Sequence, residues 1–275
     1  MLFQHVERPS FIHSLNPMVK FLAIVIAVLT MTLFFDPIPT LFMTGLALFL
    51  ILILARIPPW VLIKSVLPFL GLAIGLAWVN AFFSRPGGET LLAWHFIRVT
   101  GESLRMGVTL GLRVLTIVLF SYLFAATTDP RDLALSMVQQ ARLPYKMAFG
   151  LFAGFRFLPL LGTEFETIRA AHRIRGVGEK RGWRGTYREL KRFTIPLSAS
   201  VIRKASHIGI AMESKGFGAF DKRTYLRETK VTGQDILFLV GLVIVLAVAL
   251  YLFVQTGLIT HLGPQFGTPY QHVNS

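Results

Sequence analysis

The chain has 275 residues, 53% of them hydrophobic and only 15% charged, with a mean hydropathy of +0.60. Soluble domains carry about 25% charged residues, so this composition describes an integral membrane protein. The formal net charge is +14, yet sixteen of the 28 Lys and Arg lie between Arg169 and Lys230, the asymmetry expected of a segment left in the cytoplasm, facing anionic lipid and protein partners rather than nucleic acid. The absence of cysteine excludes disulfides and thiolate metal centres.

The first residues, MLFQHVERPSFIHSLNP, contain Glu7 and no apolar run before Phe21, so no cleaved signal peptide is predicted and the first span anchors itself. Met18 to Phe35 is just long enough to cross a hydrocarbon core about 30 Å thick. Asp36-Pro37-Ile38-Pro39 ends it, Thr40 to Ala55 returns, and Arg56-Ile57-Pro58-Pro59 makes the next turn. Trp60 to Phe83 is the third span, with Lys64 placed to snorkel and Gly71-x-x-x-Gly75 offering a close helix contact. Residues 84–103 are too polar to span; Pro86-Gly87-Gly88 and the aromatic content predict an interfacial loop or short hairpin.

Leu104 to Ala126 is the fourth span, with Gly107-x-x-x-Gly111 on one face. Arg113 lies inside it, and an intramembrane arginine is either functional or paired with a carbonyl or carboxylate in the bundle; the second account is favoured. Asp129, Pro130 and Asp132 then start an amphipathic helix as N-cap, first position and first-turn acid, and that helix ends near Leu143-Pro144. Tyr145 to Gly162 is short for a span and is interrupted by Arg156 and Pro159, with Gly150-x-x-x-Gly154 a third small-residue pair; it is expected to be membrane-embedded or to lie on the surface. Ile236 to Leu258 is the last span. Counting Lys and Arg in the short loops puts the N-terminus in the cytoplasm and the tail, which has neither residue, outside, with Arg85 and Arg98 in the one awkward external loop. The expected fold is therefore all-α, a polytopic bundle of about five spans with long amphipathic cytoplasmic helices: 1–126 the first four spans, 127–235 the cytoplasmic or membrane-surface helices, 236–275 the last span and tail.

Two long helices are drawn in the basic block. The first runs from the Phe157-Leu158 region through Glu164, Glu166, Arg169 and Arg173 to a stop at Gly176 and Gly178. In the second, Leu197, Val201, Ala205, Ile208 and Met212 make one apolar stripe, and a stop follows at Gly216. The connector EKRGWRGTYRELKR (179–192) is rich in Lys and Arg. Both helices thus end on a cation and a glycine: Arg175-Gly176 after Arg173, and Lys215-Gly216 after Glu213. A helix dipole favours a C-terminal cation by about 0.3–1 kcal/mol, so one such end is ordinary. Two of them bracketing one basic module suit insertion into acidic grooves of a partner protein.

The chain resembles the transmembrane T component of energy-coupling factor transporters, the CbiQ/EcfT family, in HSLNPMVKF (13–21), VTGESLRMGVTLGLRVL (99–115), TTDPRDLALSM (127–137), RLPYKMA (142–148), RFLPLLGTEFETIRAAHRIRG (156–176) and AMESKGFG (211–218). The resemblance implies two Ala-Arg-Gly motifs at the ends of coupling helices, whose cations dock into two ABC-type ATPase subunits. They fall here on Ile174-Arg175-Gly176 and Ser214-Lys215-Gly216. Both lack the alanine, and lysine at the second loses the planar fork that grips a carboxylate, which implies an unequal ATPase pair or a divergent subfamily.

It further implies a non-catalytic scaffold in a bacterial or archaeal cell membrane. The partners would use ATP and Mg, and a small membrane S component would bind a vitamin or a cobalt or nickel ion. This chain itself would bind no cofactor. The residues agree: there is no G-x-x-x-x-G-K-[ST], no HExxH, no carboxylate cluster at metal-ligand spacing and no catalytic set, and the seven histidines are scattered. The alternatives are an integral membrane enzyme acting on lipid, for which no residues are found, and a self-sufficient permease or channel, supported only by Arg113 and Arg156.

Overall fold

A computed structural model describes residues 10–33, 36–83, 90–94, 97–141, 143–175, 183–219 and 228–256, with the backbone alone at 83, 90–94, 97–99, 148, 151, 155, 156, 184, 186 and 188–191. The described chain is helical apart from one hairpin, and it divides into two compact units. One comprises Met1–Leu133 and Lys230–Ser275, the other Ala134–Thr229.

In the first unit a short α1 (Phe11–Ser14) leads into α2 (Pro17–Thr32), which starts as a helix should: Asn16 accepts the Met18 N–H at 3.0 Å and Pro17 takes the first position. The next helix, α3 (Pro37–Phe49), continues into a π-helical turn over Leu50–Leu54 and stops at Arg56, whose φ of +52° is left-handed. Pro37 and Pro39 lie inside this first turn instead of preceding the helix, because proline is tolerated where no N–H partner exists. Then come α4 (Pro59–Phe83), the antiparallel strands β1 (Thr90–Trp94) and β2 (Ile97–Thr100), α5 (Gly101–Thr127) and finally α9 (Gly233–Gln255). The strands realise the expected hairpin; Pro86-Gly87-Gly88 falls outside the described residues. Four of these helices, Pro37–Leu54, Pro59–Phe82, Gly101–Thr127 and Gly233–Gln255, are long and apolar enough to cross a membrane, and α2 is a shorter apolar helix.

Packing centres on α5, which meets α2, α3 and α4, while α9 lies against α2. Gly107 and Gly111 are where α4 and α5 approach most closely: a Cβ added at Gly107 would stand 2.5 Å from the Ala77 carbonyl oxygen, and one at Gly111 3.0 Å from that of Ala73. The small residues on the α4 side are Ala73, Ala77 and Ala81, spaced four apart on one face. Gly71 and Gly75 lie on another face and meet nothing within 4 Å, as do Gly150 and Gly154, so of the three small-residue pairs only one makes a close contact among the described residues. Met31, Met43, Ile51, Phe120 and Leu123 fill the core beside it, and a buried hydroxyl pair, Thr44 with Thr116 at 2.7 Å, links α3 to α5.

Polar groups fix the two ends of this bundle. At one end Asp36 pairs with Arg105, and Arg113 donates to the carbonyls of Met31 (3.3 Å) and Thr32 (3.4 Å), the open C-terminal end of α2. At the other end Asp235, 1% exposed, accepts the Asn16 N–H on one oxygen and the Thr232 N–H and hydroxyl on the other, each at 2.7 Å. The buried Lys20 donates to the Thr127 carbonyl at 2.8 Å. A buried ammonium or carboxylate is tolerable only when its hydrogen-bonding capacity is met in this way. These bonds tie together the starts of α2 and α9 and the end of α5.

Candidate functional site

The second unit is built on α6 (Pro130–Ala141), α7 (Tyr145–Ile174) and α8 (Trp183–Ser214), the first of which begins in the other unit. Asp129 caps α6, accepting the Arg131 N–H at 2.8 Å. Pro159 sits within α7, so the helix expected to begin near Phe157 and the ambiguous segment before it are one continuous helix, which also contains Arg156, whose side chain lies outside the described set. Likewise residues 183–192 of the predicted connector are the first turns of α8.

α7 and α8 run antiparallel. Their contacts step in opposite directions: Tyr145 and Phe149 meet Phe217 just past α8, Glu164 meets Ser200 and Lys204, and Phe165 and His172 set their rings edge-on to Phe193. Of the predicted stripe, Leu197, Val201 and Met212 are half-buried and Ala205 and Ile208 are exposed in this chain, and the side of α8 turned to α7 includes Phe193, Ser200 and Lys204. Much of this 32-residue helix is polar or charged, and it is covered only where its partner reaches it.

Glu164 is the polar centre of that contact. The hydrogen bond from Lys204, and next the one from Ser200 at 2.5 Å, hold its carboxyl below the ordinary value of 4.5. A carboxylate with a depressed folded pKa contributes stability that is complete above its unfolded pKa and is lost as pH falls through the folded value. Thermal unfolding of the purified chain should therefore show an acid limb below about pH 4.5, and Glu164→Gln should shrink it; an identical limb in the variant contradicts the assignment.

The two predicted cation-glycine ends are both helix ends. Arg175 is the C-cap of α7 (φ −77°, ψ 10°), its N–H bonded to the Ala171 carbonyl at 3.3 Å; Arg173 and Ile174 before it are exposed, Ile174 by 88%. Gly176 lies outside the described residues. Lys215 holds the equivalent place after Ser214. There the Phe217 N–H bonds the Met212 carbonyl at 3.0 Å and the Gly216 N–H bonds that of Glu213 at 2.9 Å, with Gly216 at φ +74°. This six-to-one and five-to-two pair is a Schellman close, in which the residue after the C-cap must be left-handed and glycine fits at no steric cost. Glu213 and Lys215 are exposed. Among the described residues neither the Arg175 nor the Lys215 side chain has an ion-pair or hydrogen-bond partner. A cation fixed at the end of a long helix, with no partner among the described residues, is suited to pair with an anionic group elsewhere.

Four residues near the second end carried no role in the sequence: Tyr145, Lys146, Phe149 and Phe217. Tyr145, Lys146 and Phe217 were marked only by membership of the stretches RLPYKMA and AMESKGFG, and Phe149 only by lying in the segment Tyr145 to Gly162. Among the described residues no group of three or more His, Asp or Glu could hold a metal ion.

Comparison with known proteins gives these ends a family. The CbiQ family model, described as cobalt transport protein, matches residues 8–226. The energy-coupling factor transporter transmembrane protein EcfT of Thermanaerovibrio acidaminovorans is 32% identical over 85% of this chain and 89% of its own length. Its namesake from Staphylococcus aureus is 29% identical over 89% of this chain and 92% of its own length, and that from Bacillus subtilis 24% over 90% and 96%. With the match reaching from the first helices through both cation-bearing ends, the chain belongs to the CbiQ/EcfT family and is a non-catalytic transmembrane component of an energy-coupling factor transporter.

Proposed function

We propose that this chain couples ATP hydrolysis by two cytoplasmic ABC-type ATPase subunits to the movement of a small membrane S component that carries a vitamin or a transition-metal ion. The observation that supports it most is the pair of exposed cations, Arg175 and Lys215, each at the C-cap of one of two long antiparallel helices in a single unit. Arg173, Gly176, Glu213 and Gly216 complete the two docking ends, and the contact between α7 and α8, made by Glu164 with Ser200 and Lys204 and by Phe165 and His172 with Phe193, keeps them at a set spacing. Residues 1–126 and 236–275 form the membrane scaffold and 127–235 the coupling part. The N-terminus is cytoplasmic and the C-terminus external in a bacterial or archaeal cell membrane, a topology that the distribution of Lys and Arg supports. ATP and Mg belong to the partners, since this chain has no P-loop sequence to hold phosphates.

The test is purification of the tagged full chain from its native membrane in mild detergent. Two ABC-type ATPase domains and a small apolar membrane protein are expected to accompany it, with ATPase activity in the complex. Recovery of the intact chain without any ATPase contradicts the proposal.

A further inference from the structure

Past the second helix end the chain folds back onto its own unit. Gly216 (φ +74°) and Gly218 (φ +92°) both adopt the left-handed conformation, and between them Phe217 is half-buried. Its ring centroid lies 4.8 Å from that of Phe149 and 5.8 Å from that of Tyr145, tilted by 55° and 74°, the edge-to-face range in which aromatic pairs attract. Lys146, from the same first turn of α7, runs alongside Gly218, where an added Cβ would stand 3.8 Å from its Cε. Phe217 thus acts in two ways at once. Its N–H closes α8 on the Met212 carbonyl, and its ring holds that closure against the start of α7. Lys215 sits two residues earlier, its own N–H bonded to the same Met212 carbonyl at 3.1 Å.

The geometry points to Phe217 as the positioning residue of the second cation: it clamps the end of α8 to the first turn of α7, so that a load on Lys215 passes into α7 through the aromatic contact as well as along α8. The inference rests on the reading that Lys215 docks on an ATPase subunit. An end held only by α8 would fray, as the last turn of a helix does, and a long lysine on a fraying turn presents its charge over a wide range of positions. Fixing the turn removes that freedom before docking and so lowers the entropic cost of binding. The role belongs to the ring as a flat apolar body, which tyrosine reproduces and alanine does not.

A double-mutant cycle on the full complex in lipid nanodiscs tests it. Phe217→Ala should weaken ATPase binding about tenfold in the otherwise native chain, the scale of a lost aromatic contact, and less than about twofold where Lys215→Ala is already present. Phe217→Tyr should keep binding within about twofold. An equal loss in both backgrounds would mean that the ring serves folding rather than Lys215, and overturns the inference.

A second readout needs no partner. The chain has no cysteine, so a single nitroxide on Lys215→Cys reports on this turn alone. Phe217→Ala should mobilise that label several-fold, while a label on Arg175→Cys should not respond. An unchanged label at 215 overturns the inference whatever the binding data show. A mobilised label together with wild-type ATPase binding by Lys215→Ala would sustain the clamp and count against docking at Lys215.

Discussion

Reversing the charge at Arg175 is expected to abolish coupled uptake while leaving the chain folded and in the membrane. Arg175→Glu removes a C-terminal cation that the helix dipole favours, a loss of about 0.3–1 kcal/mol spread over a 30-residue helix, so abundance and thermal unfolding should hardly change. At an interface the cost is of another size. Truncating one partner of a buried, hydrogen-bonded charge pair costs about 2–5 kcal/mol, and reversal adds repulsion, so ATPase binding should fall by at least a hundredfold. The two ends should not respond alike. Arginine offers five donors in a fixed fork and lysine a single ammonium. Arg175→Lys should therefore weaken binding about tenfold, whereas Lys215→Arg should leave it unchanged or strengthen it. Binding of the ATPase subunits to each reconstituted variant measures this; normal uptake by Arg175→Glu would remove the site from the mechanism.

Gly107→Leu is expected to break the membrane unit. A Cβ there would stand 2.5 Å from the Ala77 carbonyl oxygen and 3.0 Å from the Ala81 nitrogen, both main-chain atoms of α4 that cannot rotate aside. Relief requires moving α4 from α5 along the Gly107, Gly111, Ala73, Ala77 and Ala81 contact. Without water, helix association depends on such close packing, so the loss is expected to be about 3 kcal/mol or more. Gly75→Ala is the matched control: it lies in the neighbouring helix, meets nothing within 4 Å, and should be neutral or stabilising by up to about 1 kcal/mol. Thermal unfolding followed by size-exclusion in detergent separates the two, and equal stability of both variants would contradict the packing.

The same comparison shows where local sequence is informative. Proline, asparagine and aspartate at helix starts act within a few residues, so the start of α6 at Asp129-Pro130 was legible, as were the helix ends at Arg175 and at Lys215-Gly216. A small-residue pair states only that close approach is allowed. It does not name its partner, and the alanines of α4 that answer Gly107 and Gly111 carry no pattern of their own. Asp36 was legible as a helix boundary but not as the partner of Arg105, 69 residues away. Asn16 and Asp235 are 219 residues apart, and no spacing rule joins them. HSLNPMVKF was visible only as a family stretch until Asn16 and Lys20 proved to hold the ends of three helices. Ala205 and Ile208 of the apolar stripe of α8 are exposed in this chain, because period locates a face, whereas what packs on it decides how much of it is covered. Phe217 was missed for a related reason: a single aromatic beyond a glycine has no period, and its role arises from Tyr145 and Phe149, which the antiparallel arrangement brings to it.

The most direct measurement of the coupling role is site-specific crosslinking in native membranes, which the absence of cysteine makes clean. A photoreactive or short thiol crosslinker on Arg175→Cys, and separately on Lys215→Cys, is predicted to join each position to an ABC-type ATPase subunit, in a yield that changes when nucleotide is bound. Efficient labelling at both positions with no ATPase adduct at either one would contradict the account.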